Sequence, residues 1–292
     1  MQNLSYVQLG GTLFIPASHK QLNSIVNEVK YKELRSLVID FEDGLEESFL
    51  REAMEKLKSI LSKVEAKTPF VFLRARDTSH LEKLMKLEGI NNITGFVLAK
   101  FSLENAEKYL ETLKDSKFYI MPSIEGEELF HQQKLLQLRE KIITNKQKVV
   151  LVRFGLEDML RQLGMRRECS ESVFDLSAPS YVVGNFIATF KSVGFAISGG
   201  VYPCFKDKDG FQRDVKRDMR EGLFSKTLIH PDQVSQINEL YKVTQKEYDE
   251  ALALIESQKV VFAQNGKMAE VPTMKRYSLE IILRAKEYGI RT

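Results

Sequence analysis

The chain has 292 residues, of which 43% are hydrophobic and 28% are charged, and its formal net charge is +3 at pH 7. This length is long for one β-sandwich and short for three domains, and the apolar content is enough for a large core. The nearly balanced charge excludes the concentrated basic surface of a nucleic-acid binder. No apolar run approaches the roughly eighteen residues of a membrane span, and the N-terminus lacks a signal-peptide pattern.

The chain contains two cysteines, Cys169 and Cys204, which lie far apart in the sequence and form no CxxC motif. This usage argues against a disulfide framework and against a zinc knuckle. A reducing compartment fits such a sequence best, because paired cysteines accumulate in oxidising ones. We therefore predict a cytoplasmic protein.

Short apolar runs alternate with amphipathic segments along most of the chain. The predicted strands are residues 12–16, 36–41, 70–74, 95–100, 117–122, 148–154, 195–198 and 226–229. The predicted helices that follow them are residues 22–30, 45–63, 78–88, 102–115, 127–142, 157–164, 186–194, 211–222 and 230–242. Strands that are apolar throughout, rather than alternating, indicate a parallel sheet covered by helices. Eight strand–helix units in about 240 residues predict an α/β fold of the TIM (β/α)8 barrel type.

A C-terminal extension follows the predicted barrel. It contains a predicted helix at 246–257, a tight hairpin turn at Asn265 and Gly266, and a last helix at 276–288. We therefore predict a catalytic barrel domain over residues 1–244 and a helical and hairpin extension over 245–292. The extension could serve as a lid or as an oligomer contact.

Charged side chains are concentrated where the predicted strands end. The residues at these ends are Asp40, Glu42, Asp43, Arg74, Arg76, Lys100, Glu125 and Asp158. The carboxyl ends of barrel strands meet at one face, which is where barrel enzymes carry their chemistry. Taken singly, Asp43 or Asp158 could simply favour a helix dipole. Taken together and facing Arg74, the carboxylates of Glu125 and Asp158 predict a metal site.

The ligand type indicates which metal this site would hold. Carboxylate oxygens without histidine or thiolate partners favour Mg²⁺ or Mn²⁺ over zinc. An arginine beside the metal can hold a substrate carboxylate through two hydrogen bonds. A 2-keto acid would chelate the metal, which would stabilise the oxyanion formed when a carbon–carbon bond breaks or forms.

Seven sequence blocks resemble those of the citrate lyase β-subunit-like (HpcH/HpaI aldolase) family. In chain order they are TLFIPASHK, SLVIDFEDG, FVFLRARD, GFVLAK, PSIEGEEL, VRFGLEDML and KTLIHPDQV. They cover roughly residues 11–257. Within this family, LRAR, GFVLAKFS and LGMRR are most similar to the TIM-barrel carbon–carbon bond lyases encoded in tellurium-resistance-type gene clusters.

The resemblance implies a Mg²⁺-dependent lyase or aldolase that forms a homotrimer or a dimer of trimers. It places the metal ligands on Glu125 and Asp158 and the substrate-carboxylate arginine on Arg74. It also assigns Glu42 and Asp43 to metal-bound water and Lys100 to the stabilisation of negative charge.

The chain departs from the family pattern after the third strand, where Arg76 replaces an amide, and Phe101 and Ser102 occupy the region where a glutamate is common. Recognition of an acyl-CoA therefore does not follow, and Arg76 suggests a substrate with additional negative charge. We expect a small anionic 2-keto-acid-type substrate. Two alternatives stay open: a thioester hydrolase or malate-synthase-like condensing enzyme on the same site, and a non-catalytic subunit of a biosynthetic complex.

Overall fold

The strands of this chain form from the apolar runs of the sequence. The computed structural model describes residues 4–28, 30–64 and 69–291, and within them one parallel sheet has seven strands. They are β1 (Thr12–Pro16), β2 (Ser36–Asp40), β3 (Phe70–Ala75), β4 (Gly95–Leu98), β5 (Tyr119–Ile124), β6 (Arg153–Phe154) and β7 (Thr227–Leu228). Their order in the sheet is β6-β5-β4-β3-β2-β1-β7. Each strand therefore has its carboxyl end at the same edge, which we call the carboxyl rim.

The sheet curls into a barrel whose gap between β6 and β7 is spanned by the segment 195–198. Single parallel bridges join Val152 to Ile197 and Ser198 to Phe224. The predicted strand at 195–198 is thus reduced to isolated pairs, because glycines at 199 and 200 follow it and glycine weakens strand pairing. The predicted TIM-barrel fold is confirmed.

Helices cover the outside of the barrel. They are α1 (Leu22–Val26), α2 (Leu50–Leu61), α3 (Thr78–Met85), α4 (Ala106–Leu113), α5 (Gln132–Ile143), α6 (Leu156–Gln162), α7 (Ser177–Lys191) and α8 (Lys208–Arg220). The next helix in the chain is α9 (Asp232–Tyr241). The helix predicted at 186–194 begins earlier, at Ser177, because Pro179 lies in its first turn, where proline needs no amide donor. The helix predicted at 22–30 ends at Val26, and part of that prediction, residue 29, lies outside the described residues.

The barrel interior is filled by side chains from the strands and from the residues that precede β1 and β6. The buried cluster contains Leu9, Val38, Phe72, Val97, Met121, Val150 and Leu151, with Phe14 packed against it. The strands also approach closely at Gly95, where an added Cβ would lie 1.9 Å from the backbone oxygen of Tyr119. This packing leaves the polar residues of the strand ends at the carboxyl rim, above an apolar floor.

The chain divides into two compact units, Met1–Val234 and Ser235–Thr292. The second contains α10 (Gln245–Glu256) and α11 (Val271–Tyr288), with a core cluster of Val243, Ala251 and Ile281. Its hairpin pairs β9 (Val261–Gln264) with β10 (Lys267–Glu270), and its other pair joins β8 (Val243–Thr244) to β11 (Ile290–Arg291). Asn265 and Gly266 have φ of 48° and 74°, which confirms the predicted tight turn. The functional division at residue 244 stays a prediction.

Cys169 and Cys204 form a disulfide with a Cα–Cα distance of 5.9 Å. The expectation that these cysteines do not form a disulfide is therefore wrong. The two residues are 35 apart in sequence, but the barrel brings the segments after β6 and after residue 198 side by side. Over the described part of the chain, no helix has both the length and the hydropathy needed to cross a bilayer.

Candidate active site at the carboxyl rim

Four parallel strands and one helix bring the predicted site residues to the carboxyl rim. Asp40 is the last residue of β2, Arg74 lies one residue before the end of β3, and Glu125 directly follows β5. Asp158 lies in the first turn of α6, which begins two residues after β6. Since these strands are parallel and neighbouring, their ends must converge, and the side chains share one site.

Glu125 and Asp158 meet at Gly155. A Cβ added to Gly155 would lie 2.5 Å from Cγ of Glu125 and 3.3 Å from Oδ2 of Asp158. The glycine therefore leaves open the space that both carboxylates border. Gln162 strengthens the arrangement, because its Nε2 donates to the backbone oxygens of Glu125, at 2.7 Å, and Asp158, at 3.1 Å.

Glu125 is the carboxyl group that the site perturbs most clearly. Burial raises the pKa of Glu125 to about 7, the charges of Glu42 and Asp158 add to this rise, and a hydrogen bond from Ser123 and the charge of Arg74 oppose it. Its Oε2 atom is buried and has no hydrogen-bond partner among the described residues. A buried, unsatisfied carboxylate oxygen is costly unless a cation or proton occupies the space beside it.

A divalent cation fits this pair of carboxylates. Mg²⁺ is commonly held by one or two carboxylates and keeps several waters or substrate oxygens. The described residues contain no group of three or more His, Cys, Asp or Glu side chains suited to a metal, so a cation here would need such additional oxygens. Asp158 already pairs with Arg161 at 2.5 Å, but the Arg161 side chain is 74% exposed, so this pair is weak and a metal can displace it.

We expect alanine at position 155 to disrupt the site without changing a charge. The added methyl group would overlap Glu125 at 2.5 Å and push the two carboxylates apart. Gly155 has φ of −80°, so the backbone itself accepts alanine. Calorimetry should therefore show weaker Mg²⁺ binding in Gly155→Ala, together with a lower unfolding midpoint of the metal-free protein, because the buried Cβ and Cγ of Glu125 must shift. Unchanged Mg²⁺ affinity would contradict the shared site.

The pKa of Glu125 gives the metal affinity a defined pH dependence. Because this pKa is raised to about 7, the metal-free protein carries a proton on Glu125 below that pH, and Mg²⁺ must displace it. We expect the association constant to fall by about tenfold per pH unit below about 7 and to level off above it. Titrations in two buffers of different ionisation enthalpy should show proton release at pH 6 and little at pH 8.5. An affinity that is constant from pH 5.5 to 8.5 would exclude this coupling.

Arg74 is surrounded by carboxylates. Its Nε and one terminal nitrogen bind the two oxygens of Asp40 at 2.7 and 2.6 Å. The same terminal nitrogen lies 3.0 Å from Asp43, and the other lies 3.1 Å from Glu42. Asp43 has a side chain that is 57% exposed, against 6% for Asp40 and 7% for Glu42. A substrate carboxylate would therefore gain access to Arg74 most readily by displacing Asp43.

Lys100 extends this charged cluster across the rim. Its Nζ lies 2.5 Å from Oε1 of Glu42, and its own side chain is 59% exposed. The hydrogen bond to Glu42 raises the pKa of Lys100, and the charges of Glu42, Asp43 and Glu125 raise it further. Burial raises the pKa of Glu42 despite this contact. Lys100 has φ of 47°, so it occupies the left-handed region where the chain turns sharply out of β4.

The structure does not bring Arg76 into the cluster around Arg74. Its guanidinium donates to the backbone oxygen of Leu45 at 3.2 Å and lies 3.8 Å from Glu47. The chain leaves β3 at Ala75, so the strand alternation that points Arg74 inward does not extend to position 76. A role for Arg76 in substrate binding stays a prediction.

Sequence reasoning did not assign roles to three further residues of the site. Asp40 holds Arg74 through both its oxygens. The ring of Phe14 lies under the guanidinium groups of Arg74 and Arg153, whose Cζ atoms are 5.3 and 5.2 Å from its centroid. Both distances allow a cation–π interaction. In the sequence, Arg153 could have been recognised as a site residue by its charge inside an apolar strand. Nothing in the sequence distinguishes Phe14 from the phenylalanines of the core.

Comparison with known families identifies the family to which the chain belongs. Residues 3–290 match the family described as C-C bond lyase of the TIM-barrel fold. This chain belongs to that family. The family predicted from the seven sequence blocks is thereby confirmed, including the branch.

Two curated relatives show how this C–C bond lyase family member compares with enzymes of stated activity. Citrate lyase subunit beta of Escherichia coli is 28% identical over 154 residues, which is 50% of this chain and 48% of the relative. The match thus spans about half the length of that subunit. Mitochondrial citramalyl-CoA lyase of Mus musculus is 25% identical over 311 residues, covering 94% of this chain and 86% of the relative.

Solved structures support the fold. CitE from Mycobacterium tuberculosis in complex with magnesium, acetoacetate and coenzyme A has a TM-score of 0.69 at 18% identity. The match covers 97% of this chain and 100% of that chain. A citrate lyase from Burkholderia xenovorans has a TM-score of 0.73 at 15% identity, covering 97% of this chain and 93% of that chain. At these identities the likeness shows a common barrel architecture.

Proposed function

We propose that this protein is a Mg²⁺-dependent carbon–carbon bond lyase or aldolase that acts on a small anionic 2-keto-acid-type substrate. The observation that carries the proposal is the convergence of Glu125 and Asp158 at Gly155, with one buried carboxylate oxygen lacking a hydrogen-bond partner among the described residues. The family supports the reaction class. The complex of CitE from M. tuberculosis with magnesium and pyruvate supports the metal and the type of ligand. Mn²⁺ is an alternative cation, because it takes the same oxygen ligands.

Each residue of the site has a role in this proposal. Glu125 and Asp158 hold the cation, which when bound would stabilise the negative charge that develops on the keto oxygen as the bond breaks. Arg74 orients the substrate carboxylate after Asp43 moves aside. Lys100 adds positive charge at the exposed side of the site.

Glu42 and Asp43 are proposed to orient water at the metal. Glu42 is suited to this role because Lys100 holds its Oε1 at 2.5 Å, while its Oε2 lies 3.1 Å from Arg74 in an ion pair and accepts no hydrogen bond from the described residues. Asp43 is paired with Arg74 at 3.0 Å and its contact with Glu42 raises the pKa of that residue; its exposed side chain can exchange these contacts for water. The two acids would thus differ in mobility, with Glu42 the fixed group and Asp43 the movable one.

An assay of bond cleavage tests the reaction. The protein, with Mg²⁺, is incubated with a series of 4-hydroxy-2-oxo acids, and pyruvate release is followed with a coupled dehydrogenase. We expect release that disappears with a chelator and returns with Mg²⁺ or Mn²⁺. The absence of metal-dependent cleavage across keto acids and acyl-CoA thioesters would reject the proposed function.

A second candidate is cleavage of a hydroxyacyl-CoA on the same site. The nearly full-length similarity to citramalyl-CoA lyase favours it, as does the CitE complex that contains coenzyme A. Supplying citramalyl-CoA in the same assay distinguishes the two. Turnover of the thioester with no turnover of free keto acids would replace our first proposal.

The assembly is proposed from the family resemblance, and the location is proposed from the sequence. We propose a homotrimer or a dimer of trimers in the cytoplasm, without a nucleic-acid or membrane partner. Analytical ultracentrifugation would measure the assembly, and a monomer at micromolar concentration would reject it.

A further inference from the structure

The disulfide between Cys169 and Cys204 connects two segments of the carboxyl rim. Cys169 lies seven residues after the last residue of α6, Gln162, and Cys204 lies in the segment that follows residue 198. Cys169 is exposed and Cys204 is partly exposed. An exposed disulfide can be reached by an external thiol, whereas a buried one is protected.

Other contacts would hold these segments together if the disulfide were reduced. The hydroxyl of Tyr202 donates to the backbone oxygen of Cys169 at 2.9 Å, and Arg167 donates to the backbone oxygen of Val201 at 2.9 Å. Arg167 also forms a buried ion pair with Asp214 at 2.8 Å. Reduction would therefore loosen the rim without unfolding the barrel, which a reversible change requires.

A cavity of about 310 Å³ lies beside Cys169. Its wall on α8 carries four cationic side chains, Arg213, Lys216, Arg217 and Arg220. Arg217 is already paired with Glu221 at 2.9 Å, and Arg213 lies 4.0 Å from its nearest carboxylate, that of Asp207.

The acidic residues of the same cavity are engaged elsewhere. Glu171 and Asp175 each accept a hydrogen bond from a backbone amide, at 2.9 and 2.8 Å. Asp214 is paired with Arg167 and with the buried Lys226. The cavity lining therefore has four cationic side chains against three acidic ones, and this excess of positive charge next to an exposed sulfur would attract an anionic thiol and stabilise a thiolate.

We propose that Cys169–Cys204 is a thiol–disulfide exchange site for a small anionic thiol such as a peptide thiol with two carboxylates. The incoming thiolate attacks Sγ of Cys169, the sulfur–sulfur bond breaks, and Cys204 leaves as a thiolate that takes a proton. A second thiolate then attacks the mixed disulfide and releases Cys169, which also takes a proton. The two external thiols are oxidised to one disulfide and supply the two electrons.

Reduction of the disulfide would change the metal site, because the stretch that contains α6 is attached at two points to the segment that follows residue 198. At its start, Leu156 packs against Gly200, where an added Cβ would be 2.7 Å from Cδ2 of the leucine. Beyond its end, Cys169 is bonded to Cys204. Asp158 lies between these attachments. Reduction removes one of them, so we expect Asp158 to be less fixed and Mg²⁺ to bind several-fold more weakly; this consequence rests on the proposed function.

The exchange itself is tested by kinetics of reduction. Reduction of the full-length protein by glutathione and by cysteamine is followed by alkylation and mass spectrometry, with each rate corrected for the pKa of the reagent. We expect glutathione to be several-fold favoured, and this preference to vanish in Arg213→Gln/Arg220→Gln and at high salt. The matched control is Arg51→Gln/Lys86→Gln, which removes one exposed charge on α2 and one directly after α3 and should keep the preference.

Two results would overturn the proposal. One is a protein that retains two free thiols after oxidation with glutathione disulfide. The other is reduction at equal rates by both reagents, in the wild type and in both variants. Hydrogen exchange of the backbone amides of residues 156–169, in the oxidised and reduced forms, measures how firmly this part of the rim is held. Cys169→Ser/Cys204→Ser serves as the form that cannot make the disulfide. Faster hydrogen exchange in the reduced form with unchanged Mg²⁺ binding would reject the effect on the metal site and leave the thiol–disulfide exchange site supported, whereas unchanged hydrogen-exchange rates would reject the effect on α6.

Discussion

Replacing Glu125 by glutamine, or Asp158 by asparagine, is expected to remove Mg²⁺ binding while leaving the protein folded. Each change keeps the shape of the side chain and removes the charge that a divalent cation requires. We expect Mg²⁺ affinity to fall by about 100-fold or more and the rate of bond cleavage by about 10²–10³-fold, since charge stabilisation at the oxyanion is lost. Calorimetric titration and the pyruvate-release assay measure the two effects.

The effect of Glu125→Gln on stability has the opposite sign to its effect on function. Burial raises the pKa of Glu125 to about 7, so its charged form destabilises the folded state as pH rises from the unfolded value of 4.5 through 7. A neutral glutamine removes this cost, and the metal-free variant should unfold at the same or a higher temperature than the wild type. The increase in melting temperature that saturating Mg²⁺ gives the wild type should disappear.

Glu127→Gln is the matched control for this pair of measurements. Glu127 lies two residues beyond Glu125 but is an exposed residue paired with Lys134. Its substitution changes the net charge of the rim equally and should leave Mg²⁺ binding intact. If Glu127→Gln and Glu125→Gln weakened binding to the same extent, the metal would be attracted by the general charge of the rim and the assignment of Glu125 would be wrong.

The fold was predictable because its signal is distributed over the chain. Each strand is a short apolar run, and a run buried on both faces retains this pattern wherever it occurs. The meeting of Glu125 and Asp158 followed from the same argument, because parallel strands order their ends without any knowledge of side-chain packing. The predicted strand at 195–198 pairs only through two isolated bridges and not through a continuous ladder.

Features that depend on close three-dimensional approach were not predictable. The distance between Cys169 and Cys204 is set by how two rim segments pack, and their 35-residue separation in sequence carries no information about it. The role of Gly155 likewise depends on the position of Glu125, which lies on another strand. The sequence predicted Arg74 as a substrate ligand, but two of its three carboxylate partners, Glu42 and Asp43, lie in the turn after β2, whose course no apolar pattern records.

Replacing Arg74 by glutamine is expected to give the largest loss of stability among the site variants. Asp40 and Glu42, with side chains only 6% and 7% exposed, would lose the guanidinium that neutralises them. Removing one partner of a buried ion pair costs roughly 3–5 kcal/mol, because the remaining charge stays buried. Urea denaturation at pH 7.5 measures this loss as a lower midpoint at an unchanged slope.

Two companion variants separate the charge of Arg74 from its geometry. Arg74→Lys keeps the charge but loses the two-pronged contact with Asp40, so we expect an intermediate loss of stability and a raised KM for an anionic substrate. Arg74→Gln/Asp40→Asn removes the most buried carboxylate as well, and it should recover part of the stability that Arg74→Gln loses. The deficit of Arg74→Gln should also shrink as the pH falls towards 4, because burial raises the pKa of Glu42 and protonation then neutralises this stranded carboxylate. A deficit that is the same at pH 4.5 and 7.5, and that Asp40→Asn does not relieve, would show that Arg74 stabilises the barrel through packing on Phe14 and not through the carboxylates around it.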